Sequence, residues 1–374
     1  MKVLFTCGGT AGHINPAVAV AMQLQSWDPS TEVLFIGAEG KMEMDLVPRE
    51  GYEIRGITIT NLSREKSLQG LKHNIGTIRN VVRSSAEAKR ILREFAPDAV
   101  VGTGGYVCYP VIRAAHLAGI PTAVHESNAR PGLTTRMLAR MADRVLVGME
   151  GCASAYPDPK KVTVTGTPVR GGFDRGSKSA ARQELGIGEE EKLVLSVWGS
   201  LGAGYLNEIM LQIIPELCRR DCGFRLIHVT GRRYYAEFME KLRATCPDWT
   251  EHGIDVREYL HDMPRVMAAA DLVMCRSGAS TLSELAYMAK PALLVPSPNV
   301  VANHQEKNAR VVEQAGAAKV LLEGEFTAES LLAELSAMTG NSDALQRMAE
   351  ASGALCEENA AEAIAAIVKE LAEG

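Results

Sequence analysis

The sequence predicts an α/β protein built as two Rossmann-like, doubly wound domains. Three observations point to it. Short apolar runs alternate with helical stretches along the whole chain. The alternation restarts after residue 170, and in both halves glycine-rich loops follow the runs directly. The 374 residues are 46% hydrophobic and 23% charged, enough to bury a core in each half.

In the first half, Lys2–Cys7, Glu32–Ile36, Asp98–Val101, Pro121–His125 and Arg144–Val147 read as buried parallel strands. Pro16–Ser26 reads as a helix, with Asn15 as its N-cap and Pro16 at its first position. In the second half the strands are Leu193–Val197, Arg225–Val229, Val256–Tyr259, Asp271–Met274 and Ala292–Val295, with a helix at Leu206–Arg219. Ser277 or Ser280 is expected to cap a helix running to about Met288. The Pro/Gly-rich stretch from Gly166 to Gly172 marks a seam. It gives an N-terminal domain of residues 1–165 and a C-terminal domain of residues 166–354. The final helix, Glu357–Ala372, can pack on either domain, and residues 355–374 can return to the first. Ligands in such sheets bind beyond the carboxyl ends of the strands, and two facing domains would hold a substrate cleft.

Composition narrows the function. None of the eight cysteines forms a Cys-x-x-Cys pair or has zinc spacing. Cys218 and Cys222 could share a helix face, but two ligands do not make a zinc site, so all eight read as reduced thiols. No apolar run approaches the roughly 18 residues that span a bilayer, and the start of the chain lacks the form of a signal peptide, so a cytoplasmic protein is expected. Residues 1–170 carry 20 Lys+Arg and 15 Asp+Glu (+5), residues 171–374 carry 20 and 30 (−10), and the two sum to −5. One half thus suits an anionic surface, and neither is basic enough for nucleic acid.

The glycine loops are where chemistry is expected. Gly8-Gly9-Thr10-Ala11-Gly12-His13 follows the first strand. It is neither Gly-x-Gly-x-x-Gly nor a P-loop, but its amides and the following helix N-terminus suit a phosphate. His13 at its mouth is a candidate general base. Gly102-Thr103-Gly104-Gly105-Tyr106 and His125-Glu126-Ser127-Asn128 converge on the same sheet edge, with Glu126 either a buried, paired group or a second proton acceptor. In the second half Gly199-Ser200-Leu201-Gly202-Ala203 repeats the device. The stretch from Cys275 to Glu284 then offers a helix N-terminus lined by Ser, Gly and Thr, a diphosphate site that needs no metal. Glu284, one turn in, suits ribose hydroxyls or simply complements the helix dipole. No Asp-x-Asp occurs in the chain, which fits leaving-group stabilisation by amides and Arg170 rather than by a cation, and no cofactor is expected.

The order of these motifs is Gly-Gly-Thr-x-Gly-His, Gly-Gly-Tyr, His-Glu-x-Asn, Gly-x-Pro-Val-Arg, Gly-Ser-x-Gly-Ala, Cys-Arg-Ser-Gly-Ala-x-Thr-x-Ser-Glu and His-Gln-x-x-Asn-Ala. In that order they resemble the MurG family, the lipid II-forming N-acetylglucosaminyltransferases of the GT-B fold group. The resemblance runs from Met1 to about Val320 and weakens beyond. It implies transfer of N-acetylglucosamine from UDP-GlcNAc to the C4 hydroxyl of the muramyl sugar on undecaprenyl diphosphate (lipid I), with inversion at the anomeric carbon. It also implies roles. Thr10, Ala11 and Gly12 would lie at the sugar and diphosphate end, Asn128 on the GlcNAc, and Arg170 and Ser200 on the nucleotide diphosphate region. Leu260 would present its backbone to the uracil. Ala279, Ser280, Thr281, Leu282 and Ser283 would form the diphosphate helix start, with Glu284 on the ribose and Gln305 on the sugar hydroxyls. His13 is the first choice of base and Glu126 the second. Departures are Ala11 for a glycine, Ser127 for a frequent Gln, and Trp198 and Leu201 where Gly and Gln are usual; Leu201 removes a side-chain hydrogen bond from its position.

Residues 62–95 hold eight Lys/Arg against three acids, with Leu68, Leu71, Ile75, Ile78 and Val82 at helical spacing. The pattern suits either an ordinary surface helix or a face lying on anionic lipid. The membrane-anchored acceptor implied by the resemblance favours lipid, and with it a peripheral place on the cytoplasmic face of the cell membrane. Rival readings are a UDP-GlcNAc 2-epimerase, another GT-B lipid glycosyltransferase and a non-enzymatic nucleotide-sugar sensor.

Overall fold

The computed structural model describes residues 1–59, 83–169, 171, 173, 176, 178–199, 202–220 and 223–374. Among them the strands form two sheets with parallel pairing throughout. Two compact units carry them: Met1–Gly171 with Glu357–Gly374, and Gly172–Cys356.

The first unit runs β1 (Lys2–Cys7), α1 (Ala11–Trp27), β2 (Glu32–Ala38), α2 (Glu43–Arg49), β3 (Glu53–Ile57), α3 (residues 83–95), β4 (Ala99–Gly104), α4 (Cys108–Leu117), β5 (Thr122–Glu126), α5 (Leu133–Leu138), β6 (Arg144–Val147), α6 (Glu150–Ala153) and β7 (Val162–Val164). Its sheet order is β3-β2-β1-β4-β5-β6-β7. Strand alternation explains why it is covered on both sides. Val3, Phe5 and Cys7 of β1 join one buried cluster with α1, whereas Leu4 joins a second with α4. The C-terminal helix Ala360–Glu373 completes the first cluster through Ile364, Ala365 and Val368, one face of an amphipathic helix laid on α1. Gly166 (φ +74°) lets its lead-in pass, since a Cβ there would fall 2.4 Å from that of Glu357.

The second unit runs α7 (Lys178–Glu184), β8 (Lys192–Val197), α8 (Gly204–Arg219), β9 (Phe224–Val229), α9 (Tyr235–Thr245), β10 (Ile254–Arg257), α10 (Met263–Ala269), β11 (Leu272–Cys275), α11 (Ala279–Tyr287), β12 (Ala292–Leu294), α12 (His304–Gln314), β13 (Ala318–Val320), α13 (Ala328–Thr339) and α14 (Ser342–Ala354); the helix at Ala360–Glu373 is α15. Its sheet order is β10-β9-β8-β11-β12-β13. Trp198 is 3% exposed in this unit's core, so its departure from the family pattern is absorbed by packing.

The structure corrects several sequence expectations. Helix α1 starts at Ala11, not Pro16: Thr10 is the N-cap, with extended backbone (φ −150°, ψ 153°). Pro16 lies inside the helix, where its missing N–H removes one bond near the start. Ala11 opens the helix and avoids the positive φ that would have required glycine. Strand β10 lies two residues before the expected Val256–Tyr259, because Ile254 pairs with Leu226. Strands β3, β7 and β13 were not expected: β3 carries charges on a half-exposed edge, and β7 and β13 are three residues each. The expected amphipathic segment lies mostly outside the described residues, which take it up at Arg83.

Candidate active site

Strands β1 and β4 are neighbours, so their glycine loops leave the sheet side by side and interlock. The Gly8 N–H donates to the Gly104 carbonyl at 3.2 Å. A Cβ on Gly105 (φ +92°) would fall 2.4 Å from the Gly8 carbonyl oxygen, and one on Gly104 (φ +123°) 2.5 Å from the His13 ring. Only glycine fits at either position.

His13 sits in the first turn of α1, half-buried. Its Nδ1 lies 2.8 Å from the Gly8 carbonyl. A carbonyl only accepts, which assigns the proton to Nδ1 and leaves Nε2 with a lone pair. The Thr103 hydroxyl donates to the His13 carbonyl at 2.7 Å, fixing the same turn from β4. A histidine oriented in this way can take a proton from a hydroxyl.

Glu43, which the sequence reading missed, anchors the loop. Its fully buried carboxylate accepts from the Gly9 N–H at 3.1 Å and the Ala38 N–H at 3.0 Å. The Gly9 amide is therefore engaged within the fold and does not serve a phosphate. Glu43 lies in a run dense with acids, Glu39 to Asp45, and nothing in that run distinguishes it.

Glu126, 5% exposed at the end of β5, uses both oxygens to hold its own loop. Oε1 accepts from the Asn128 backbone (3.1 Å) and side-chain amide (2.7 Å), and Oε2 from the Gly132 N–H (2.9 Å). Asn128 is thereby oriented at the edge that also carries His13. Neighbouring His125 is buried against the Gly166 carbonyl at 2.9 Å, and burial lowers its pKa. Thr10, Ala11 and Gly12 line the start of α1, Thr10 and Ala11 exposed and Gly12 half-buried.

In the second unit the loop after β8 abuts the end of β9: a Cβ on Gly202 (φ +73°) would fall 2.0 Å from the Thr230 carbonyl oxygen. Helix α11 starts at the carboxyl end of β11 with Gly278 as N-cap, and no side chain caps it. Neither expected serine does so. The Ser277 hydroxyl donates to the Gln305 carbonyl at 2.8 Å, and Ser280 lies inside the helix. A helix start with no side-chain cap is suited to an anion. Ala279, Ser280 and Thr281 form its half-buried first turn. Leu282 is packed into the core, and the Ser283 hydroxyl donates back to the Ala279 carbonyl at 3.1 Å. Glu284 is 9% exposed on the same helix. Gln305 accepts from the Ser297 N–H at 2.9 Å, which brings α12 against the loop after β12. Arg276, also missed, donates to the Val295 and Pro296 carbonyls and pairs with Glu323 at 2.6 Å, tying the ends of β11 and β12 together. Leu260 is 5% exposed beyond β10. Arg170, Ser200 and Leu201 lie outside the described residues.

Comparison with known proteins bears on this geometry. Residues 3–147 match the glycosyltransferase family 28 N-terminal domain and residues 193–369 its C-terminal domain. The chain is 40% identical over 371 residues to the UDP-N-acetylglucosamine–N-acetylmuramyl-(pentapeptide) pyrophosphoryl-undecaprenol N-acetylglucosamine transferase of Acetivibrio thermocellus, covering 99% of this chain and 98% of that one. It is 39% identical to the protein of the same name from a Thermoanaerobacter species, with 99% and 100% covered. Among solved structures, Acinetobacter baumannii MurG superposes with a TM-score of 0.77 at 28% identity, covering 99% of each chain. The UDP-GlcNAc 2-epimerase of Neisseria meningitidis reaches 0.64 at 16% identity, a likeness of fold alone, with 99% and 100% covered.

Proposed function

The chain belongs to glycosyltransferase family 28, and from that premise we infer that it transfers N-acetylglucosamine from UDP-GlcNAc to the C4 hydroxyl of the muramyl sugar of lipid I, forming lipid II with inversion. Full-length relatedness to enzymes named for this reaction supports the substrates. The geometric observation that carries the chemistry is the His13 ring, held by the Gly8 carbonyl with its other nitrogen open.

The reaction is a single displacement. His13 Nε2 accepts the C4 hydroxyl proton as the oxygen attacks the anomeric carbon from the face opposite UDP. Asn128, held by Glu126, contacts the transferred sugar, so Glu126 positions it and does not act as the base. The departing diphosphate lies at the start of α11, where the helix dipole and amides take up its charge, with Glu284 on the ribose; Arg170 and Ser200 are the further diphosphate contacts that the family resemblance implies. Thr10, Ala11 and Gly12 face the sugar, and Gln305 its hydroxyls.

The acceptor is a lipid, and the first unit offers a surface for its membrane. Arg83, Lys89, Arg90 and Arg93 of α3 are exposed. An apolar cavity of about 440 Å³ between α3 and α4, lined by Leu92, Pro97, Ala114, Leu117 and Ile120, opens beside Lys89 and Arg93, and Leu117 is 58% exposed. No helix among the described residues is long and apolar enough to cross a membrane. The enzyme docks peripherally on an anionic leaflet through this face. Vesicle co-sedimentation tests the docking: binding should rise with anionic lipid and fall with salt, and equal binding to neutral vesicles would refute it.

The reaction itself is tested with labelled UDP-GlcNAc and a lipid I analogue. Disaccharide-lipid should form with or without chelator, and donor alone should give no UDP-ManNAc. Lipid-independent UDP-ManNAc would establish the epimerase reading instead.

A further inference from the structure

We propose that Cys218 and Cys246 are a reversible disulfide-forming pair, a thiol modification site that fastens the end of α8 to the segment behind α9. Cys218 is the penultimate residue of α8, and Cys246 follows α9 directly. From the sequence Cys218 could share a helix face with Cys222, and both read as reduced thiols; the fold brings Cys218 to Cys246. The two sulfurs lie 2.6 Å apart, and bonded sulfurs stand about 2.05 Å apart, so closure requires a movement of only roughly half an ångström. Exposure separates their roles. Cys218 is half-buried and open to a reagent, whereas Cys246 is 4% exposed and resolves from behind.

The surroundings distinguish the two thiols. Asp248 Oδ1 lies 3.5 Å from the Cys246 sulfur, and the donor atoms of the three residues all fall within 4.8 Å of one another. Burial above all, then Cys218 and Asp248, pushes the Cys246 thiol up to about 12. Cys246 is therefore held as a neutral thiol, which makes Cys218 the attacking sulfur and Cys246 the resolving one. A shared metal ion fits less well, because two sulfurs on one tetrahedral zinc stand ~3.7 Å apart and the pair would have to spread by about an ångström.

The oxidant is a low-molecular-weight disulfide such as oxidised glutathione. The Cys218 thiolate attacks one of its sulfurs, giving a mixed disulfide and releasing one glutathione. Cys246 gives up its proton and attacks the Cys218 sulfur, forming the bridge and releasing the second glutathione. The two protein protons end on the two released thiols, and the reagent's disulfide takes the two electrons. The bridge spans 28 residues, including β9 and α9, and restrains the unfolded chain over that loop.

The test is to incubate the full chain with oxidised glutathione, alkylate, map tryptic peptides and measure melting. Trypsin cuts at Arg219 and Arg220, separating Cys218 from Cys222. A Cys218–Cys246 peptide pair should form, and two of the eight thiols should disappear. The melting temperature should rise by about 5–10 °C, and dithiothreitol should reverse all three changes. C218S should melt at the same temperature with and without oxidant, whereas C222S should behave as the unmodified chain. A bridge from Cys222, a glutathione adduct on Cys218 that never resolves, an unchanged thiol count or an unchanged melting temperature would overturn the proposal. So would tight uptake of one Zn(II) with no bridge on oxidation. The mapping is done on the unmodified chain, so it stands even if a variant folds poorly.

Discussion

At the scale of single residues, hydrogen bonds separate the two candidate bases. His13 has one nitrogen satisfied and one open; Glu126 has both oxygens engaged. H13A should therefore lose turnover by about 10²–10⁴-fold with little change in donor affinity, read as kcat against UDP binding by calorimetry. E43Q should act one step back. Its amide group cannot accept from both N–H groups, so the protein should lose about 1.5–3 kcal/mol by denaturant unfolding, with reduced turnover and unchanged UDP binding. His228 sets a pH dependence. It is wholly buried, with Ser196 at 2.9 Å on Nδ1 and no partner on Nε2, and burial lowers its pKa to about 3. The unfolded chain takes up that proton near pH ~6.5 and the folded protein only near 3. Its contribution is thus intact above ~6.5 and is lost as pH falls toward 3, at about 1.4 kcal/mol per pH unit. Denaturant midpoints compared at about pH 7 and about pH 5 should show this slope, and H228F should flatten it.

At the scale of elements, each glycine loop should fail separately. In G104A the new methyl strikes the His13 ring, so turnover should collapse while UDP binding persists. In G202A it strikes the Thr230 carbonyl, so UDP binding itself should fail. Paired kinetics and calorimetry on the two variants check both. The same loops explain what was legible in the sequence. Buried strands such as Lys2–Cys7 are continuous apolar runs, and the glycines behind them are fixed by backbone approach, so both can be read locally. The edge strand Glu53–Ile57 takes its identity from pairing with β2, which no local pattern records. The helix start at Ala11 was hidden because Asn15-Pro16 imitates an N-terminus. Glu43 and Arg276 act on loops distant in sequence, Glu43 reaching Gly9 across 34 residues, and only the fold reveals them.

At the scale of the whole molecule, two units with separate cores carry separate proposed duties. UDP that binds only the second unit should raise its unfolding transition and leave that of the first in place. At a concentration 100 times Kd the stabilisation is about 2.7 kcal/mol. Differential scanning calorimetry with and without UDP would show it, and a uniform shift of all heat absorption would contradict the assignment.

The return of α15 to the first unit also bears on how the protein is made. The second unit is one uninterrupted stretch, Gly172–Cys356, whereas the first lacks Ile364, Ala365 and Val368 until the stretch beyond Cys356 has been made. Domains usually mature in the order of synthesis. Here the unit whose residues are contiguous can reach its native state first, and the unit begun before it waits, part of its apolar surface uncovered, until α15 has been made.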